Sequence, residues 1–270
     1  MAQKLIVLGT GNALATRCYN TCFAIENSDG RVLLVDAGGG NGILRQLETA
    51  GIAPQAISHI ILTHAHCDHM LGLVWMVRLI GTAMKNGKYE GSLTIHCSGK
   101  NELRLRAMCE ATLEPRFCAL LGDRIAFAPV GDGDTHELYG TPVTFFDIHS
   151  TKEQQYGFTL PLENGKRLTC LGDEPYHPLC RPYAEGAGWL LSEAFCLYAD
   201  RERFRPYEKH HSTAKDASIL ASELGVEHLV LWHTEDQTIA TRKGAYTAEA
   251  ACHFAGQIYV PDDLEKLVLA

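Results

Sequence analysis

Thr63-His64-Ala65-His66-Cys67-Asp68-His69 follows directly on the apolar run Ile60-Ile61-Leu62 and puts four potential metal ligands into six consecutive positions. His64 and His66 stand two apart and can face the same way from an extended segment. Asp68 and His69 can turn to a neighbouring point as a helix begins, so one short loop could serve two metal ions. Neutral imidazole suits zinc, and the carboxylate adds negative charge that helps hold a second cation nearby. Two metals about 3.5–4 Å apart can share a water as hydroxide, polarise a phosphoryl or carbonyl oxygen and steady a leaving group. A single histidine in such a place is more often structural, and it is the density of this cluster that points to metal.

Outward from this loop, segments rich in β-branched and aliphatic residues recur at 5–8, 22–26, 31–36, 59–63, 93–97, 142–148, 167–171, 189–193 and 228–232 and read as strands. Helical patterns occupy 41–50, 69–80, 100–113 and 213–224, the last with Ala217, Leu220, Ala221 and Leu224 on one face. Hairpin-like spacing in the first forty residues, then strand and helix alternation, predicts two mixed sheets with helices on their outer faces, an α/β chain of αββα layering. Asp36, His64, His149, Asp173 and His233 each stand where an apolar run stops, and side chains at strand ends can converge at one edge of a sheet. Nothing reads as a linker, so residues 1–270 are expected to form a single domain.

A chain of 270 residues with 46% hydrophobic content can bury a substantial core without disulfide staples. Its ten cysteines form no C-x-x-C pair and read as reduced and mostly buried. The opening apolar run is too short for a signal peptide, which predicts a cytoplasmic protein. The longest later one, 70–81, carries Arg78 and falls short of the roughly 18 apolar residues of a membrane span. A formal charge of −8 offers no general attraction to nucleic-acid phosphates and counts against RNA. Gly9-Thr10-Gly11-Asn12 lacks the third glycine of a dinucleotide-binding turn, so no nucleotide cofactor is indicated.

The string from His64 to His69 resembles the H-x-H-x-D-H signature of the metallo-β-lactamase superfamily, and its surroundings look like the tRNase Z branch. Leu8-Gly9-Thr10-Gly11-Asn12-Ala13, Asn20 and Val35-Asp36-Ala37-Gly38 resemble that branch's first strands and aspartate turn. Phe146-Asp147-Ile148-His149-Ser150, Leu171-Gly172-Asp173 and Leu229-Val230-Leu231-Trp232-His233 are similar to its later ligand-bearing strands. The resemblance implies a metallo-β-lactamase-like four-layer αββα sandwich holding two divalent ions, zinc with manganese as the alternative. It implies that His64, His66 and His149 hold one metal, that Asp68, His69 and His233 hold the other, and that Asp173 bridges. Leu191-Ser192-Glu193-Ala194-Phe195 looks like the branch's H-E-A-T segment and His211-Ser212-Thr213 its H-S-T segment, which implies that Glu193 orients His211 for departure of the leaving group. Asp68 is further expected to steer or accept the proton of the nucleophile.

Thr213-Ala214-Lys215-Asp216 reads as a capping box, placing His211 just before a helix N-terminus. The helix dipole there disfavours protonated His211, so a carboxylate such as Glu193 is needed to keep it cationic. The branch's pattern is broken at Ser192, which replaces the H-E-A-T histidine, and at Cys67, a position commonly glycine. Glu235 and Asp236 put negative charge near the expected phosphate face. His149 and Asp173 are 24 residues apart, leaving no room for the long glycine- and proline-rich arm with which many tRNase Z enzymes grip tRNA.

The reading that follows is a binuclear metal-dependent hydrolase, a phosphodiesterase attacking a small phosphodiester or nucleotide with a metal-bound hydroxide. The alternatives are tRNA 3′-end processing, an acyl substrate such as a lactone or thioester on the same metals, and a non-hydrolytic metal-binding protein. Di-iron members of the superfamily carry a carboxylate where His66 stands, and no flavin segment follows here. The resemblance also implies a homodimer, and no membrane partner is expected. His177 is either a pocket or a loop residue. His59, His96, His136, His210, His228 and His253 are given no function, and Tyr19, Tyr156 and Trp232 are read as packing.

Overall fold

The structure, a computed structural model, describes residues 2–269. Its strands are β1 (Lys4–Gly9), β2 (Cys22–Glu26), β3 (Val32–Val35), β4 (Ile57–Ile61), β5 (Leu93–Cys97), β6 (Ile125–Pro129), β7 (Thr135–Leu138), β8 (Thr141–Asp147), β9 (Tyr156–Pro161), β10 (Arg167–Cys170), β11 (Trp189–Glu193), β12 (His228–Trp232), β13 (Gln257–Tyr259) and β14 (Lys266–Val268). The helices are α1 (Gly42–Ala50), α2 (Cys67–Lys85), α3 (Gly99–Thr112), α4 (Pro115–Cys118), α5 (Arg181–Ala184), α6 (Arg201–Phe204), α7 (Ala214–Glu223) and α8 (Ile239–Ala251). Two compact units emerge: Tyr19–Val130 with β1 and, from the far end of the chain, β14; and Thr10–Cys18 with Gly131–Asp262. Each unit holds one seven-stranded sheet.

In the first unit the strand order is β14-β1-β2-β3-β4-β5-β6, antiparallel from β14 to β3 and parallel from β3 to β6. The central strands are buried along their length, as in Val32-Leu33-Leu34-Val35, because a strand covered on both faces reads as a continuous apolar run. Period-two residues Ile6 and Leu8, with Leu34, Ile60 and Ile95, meet Ile43 and Leu47 of α1, Leu73, Met76, Val77 and Ile80 of α2, and Leu105 of α3. The second unit repeats the plan in the order β13-β12-β11-β10-β9-β8-β7, parallel from β13 to β10 and antiparallel from β10 to β7. Leu190, Leu229 and Leu231 there pack on Ala214, Ala217 and Ala221 of α7 and Tyr246 and Ala250 of α8.

The expected mixed sheets with covering helices are present. The expected 69–80 helix starts earlier, at Cys67, so Asp68 and His69 lie in its first turn. The capping box is also present: the Thr213 hydroxyl accepts from the Asp216 amide and the Asp216 carboxylate accepts from the Thr213 amide. β6, β7, β9, β13, β14, the four-residue helices α4, α5 and α6, and α8 have no counterpart among the expected elements. β13 and β14 are three residues long and half exposed, too short to show alternation. α8 buries only Arg242, Tyr246 and Ala250, and a stripe that begins with arginine carries no apolar period. Among the described residues, no helix is long and apolar enough to cross a membrane.

Arg242, almost fully buried, is the polar hub of the second unit. It donates to the Thr10 and Thr234 hydroxyls at 3.0 Å, to the Pro261 carbonyl at 2.9 Å and to the Asp262 carboxylate at 3.1 Å. Replacing it by Met removes these bonds, three of them to buried acceptors, so Arg242→Met should destabilise the fold by roughly 3 kcal/mol; an unchanged urea midpoint at equal slope would show the hub to be dispensable.

Burial, assisted by the Arg31 charge, holds the His59 imidazole below its ordinary 6.5, and burial with the Lys166 charge does the same for His228. As pH falls below that value the unfolded chain binds these protons first, so the stability present above it is lost progressively toward the lower folded-state values. The melting temperature of chelator-treated protein should therefore fall on acidification. The fall should be shallower in the His59→Gln/His228→Gln variant, and equal slopes would assign it to other groups.

Candidate metal centre

β3 ends at Val35, and Asp36 turns out of the sheet with φ of 55°, a left-handed backbone that costs a non-glycine residue energy. His149 after β8 and His233 after β12 do the same, at 61° and 55°. Three of the polar strand ends picked out by the sequence are thus held in an uncommon conformation, one in the first unit and two in the second.

In the first unit the buried Asp36 carboxylate accepts three hydrogen bonds, from the Thr63 amide at 2.9 Å, the Thr63 hydroxyl at 2.8 Å and His69 Nδ1 at 2.7 Å. With Nδ1 committed as donor, His69 presents Nε2 as its basic atom, the arrangement that orients and strengthens a metal-ligating imidazole. Asp68 Oδ2 lies 3.4 Å from that Nε2. His64 Nε2 and His66 Nδ1 are 2.9 Å apart, and His64 Nδ1 sits 3.0 Å from the Thr63 hydroxyl. The His64 and His69 ring centres are 4.2 Å apart, so the four expected ligands of the loop lie close to one another.

The contact between α2 and the Asp36 turn is backbone on backbone. Ala37 N donates to His69 O at 3.0 Å and Gly72 N to Gly38 O at 2.8 Å. A Cβ on Gly72 would fall inside the Ala37 carbonyl, so only glycine lets the helix come this close. Tyr19, read as packing, donates its hydroxyl to the carbonyls of Ala37 and Gly40 and braces the same turn.

In the second unit Asp173 Oδ2 is 3.4 Å from His233 Nε2. The His149 ring lies 4.6 Å from His177, centre to centre, which brings His177 beside an expected ligand. Glu193, buried at the end of β11, accepts the Ser212 amide on Oε1 at 2.6 Å and faces His211 Nδ1 with Oε2 at 3.6 Å. Both Oε2 and that Nδ1 are buried and have no hydrogen-bond partner among the described residues, so a small approach would satisfy both. His211 stacks on Phe195 at 5.0 Å and stands 5.2 Å from the His233 ring.

Glu235 and Asp236, expected to put negative charge near the phosphate face, are held by hydrogen bonds to the chain around them. Glu235 accepts the amides of Gln237 and Thr238 and the Thr238 hydroxyl, while Asp236 accepts the amides of Thr16 and Arg17 at 2.6 and 2.8 Å. Against the raising effect of burial, the Thr16 and Arg17 amides hold the Asp236 carboxyl below its usual value, so its negative charge stays at this face. His59 and His96, left without function, pair with each other at 3.0 Å. Asp36 and Gln155 are the orienting residues that sequence reasoning passed over. Asp36 was visible as a strand end, but its bond to His69 spans 33 positions, and nothing in the sequence marks Gln155, which holds Asp173.

Imidazoles and carboxylates at strand ends and in the first turn of α2, buried except for half-buried His66 and exposed His149, are a donor set that suits divalent cations, whose charge offsets the cost of burying the acids. Residues 3–244 match the family described as Anti-Pycsar protein Apyc1. The chain is also similar to ribonuclease Z of Thermobifida fusca (strain YX), at 26% identity over 99% of this chain and 95% of that protein. Among solved structures, the metallo-β-lactamase fold protein YhfI of Bacillus subtilis superposes with a TM-score of 0.78 at 18% identity, over 99% of both chains. Human tRNase Z, short form, does so with 0.74 at 18% identity over 99% of both, and these two likenesses establish the metallo-β-lactamase fold.

Gly72→Ala should push α2 off Ala37, lengthen the Asp36–His69 bond and destabilise the fold by about 1–3 kcal/mol, with metal lost several-fold faster to a chelator. Metal release at the wild-type rate would mean that the close approach does not position His69.

Proposed function

This chain belongs to the anti-Pycsar protein Apyc1 family, and we propose that it is a phosphodiesterase that hydrolyses a small phosphodiester or nucleotide with two divalent ions, zinc by ligand type. That it is a metal-dependent hydrolase follows from its family, its fold and its tRNase Z-like relatives. In the proposed site His64, His66 and His149 hold one ion, Asp68, His69 and His233 the other, and Asp173 both. The ions supply an activated water and neutralise phosphate charge. Asp68 takes part in steering that water or accepting its proton. His211, backed by Glu193, gives a proton to the departing oxygen, general-acid work worth about 10²–10⁴-fold.

The observation that carries the small substrate is the route from His149 to Asp173. That interval is consumed by β9, β10 and a tight turn in which Leu162 N donates to Lys166 O at 2.7 Å and Gly165 N to Leu162 O at 2.9 Å. A long arm for gripping tRNA has no place in it, and the net charge of −8 agrees. The second reading, tRNA 3′-end processing, is favoured by the ribonuclease Z relative that aligns along nearly the whole chain.

Protein purified without chelator should contain two divalent ions by mass spectrometry. It should turn over bis-p-nitrophenyl phosphate and cyclic or dinucleotide diesters, lose that activity to chelator and regain it with zinc or manganese. His211→Ala should cost about 10²-fold in turnover at unchanged metal content. Cleavage of precursor tRNA with no turnover of small diesters would replace the proposal by the second reading, and turnover of acyl esters alone would replace both.

A further inference from the structure

Gln155 stands immediately before β9, fully buried, at a place where a primary amide must find partners on both its ends or cost several kcal/mol. It finds them on one residue. Its Oε1 accepts the Asp173 amide at 2.8 Å and its Nε2 donates to Asp173 Oδ1 at 2.5 Å. The backbone N–H of Asp173 can only donate and the carboxylate accepts, so the two bonds fix which way round the amide lies. Gly172, at φ of 82°, passes so close to Gln155 Oε1 that a Cβ would collide with it. The turn carrying Asp173 is moulded around this side chain.

The backbone of Gln155 has a second attachment. Its carbonyl accepts from Ile148 N at 3.2 Å, and the next residue is His149, whose own amide donates to Asp147 Oδ1 at 2.7 Å. A nearby tie holds the same two segments: the Ser150 hydroxyl donates to Glu174 Oε1 at 2.7 Å and receives the Lys152 and Glu153 amides. The loop that presents His149 and the turn that presents Asp173 are therefore clasped together by residues that are not themselves expected ligands.

The two oxygens of Asp173 are thereby made unequal. Oδ1 faces the amide of Gln155, while Oδ2 faces His233 Nε2 at 3.4 Å. We propose that Gln155 is a positioning residue that makes Asp173 a one-oxygen metal ligand, reserving Oδ2 for the ions. A carboxylate free to swing could chelate one ion through both oxygens and fill a coordination position that water or substrate needs. Because the clasp is a neutral amide and not an arginine or lysine, it fixes the carboxylate without cancelling the charge that attracts the cations. The inference rests on the reading of Asp173 as a metal ligand.

The test compares Gln155→Met, which keeps the volume but can neither donate nor accept, with Asp173→Asn and the double variant. Zinc content and rate of zinc loss to a chelator are read by mass spectrometry, and ligation by the visible absorption of the cobalt-substituted protein. Gln155→Met should bind two ions, release zinc about 10–100-fold faster and show an altered cobalt spectrum. The double variant should release it no faster than Asp173→Asn alone, because Gln155 acts only through Asp173. Should Gln155→Met not fold, Gln155→Asn keeps a neutral amide but, one methylene shorter, withdraws it from Asp173 Oδ1, and it should show the same release and spectrum. Wild-type release and an unchanged cobalt spectrum in the folded variant would overturn the role of Gln155. Wild-type metal content and release in Asp173→Asn would instead overturn the assignment of Asp173 as a ligand.

Discussion

The Asp36 carboxylate is the constraint around which the first unit is organised. It is buried, and three donors meet the cost of burying it, two from Thr63 and one from His69. Those donors come from the loop after β4 and the first turn of α2, so one group joins the ends of three elements. To satisfy it, Asp36 must adopt a left-handed backbone and α2 must press on the turn at Gly72. The positions of His64, His66, Asp68 and His69 follow from that arrangement.

The second unit handles its acids by the same rule with different partners. Glu235, Asp236 and Glu249 each accept two or more backbone amides and so hold loops and helix starts together. Glu193 and Asp173 are treated differently. Each gives one oxygen to an N–H donor and turns the other toward an imidazole, at 3.6 and 3.4 Å. A buried carboxylate with one oxygen anchored and the other aimed at a base keeps charge available for chemistry. This division between scaffold acids and site acids is a matter of partner geometry, and composition does not reveal it.

What could be read in advance was local. The loop 63–69 and the capping box of α7 declare themselves over a few consecutive residues, and the strand ends at His149, Asp173 and His233 show up where apolar runs stop. The orienting contacts are not local: Asp36 meets His69, Gln155 meets Asp173 and Glu193 meets Ser212 only once sheets are in register. Edge strands such as β13 and the arginine-bearing face of α8 were hidden because partial burial erases the apolar period.

The pairing of β1 with β14 joins Lys4 to Val268 and Ile6 to Lys266. In a nascent chain the sheet edge beside β1 stays uncovered until β14, far along the sequence, has been made. An open edge with unpaired backbone groups can template pairing with other chains. A contact of such long sequence separation also raises the contact order and slows closure of the native sheet. A chain lacking β14 leaves that edge bare.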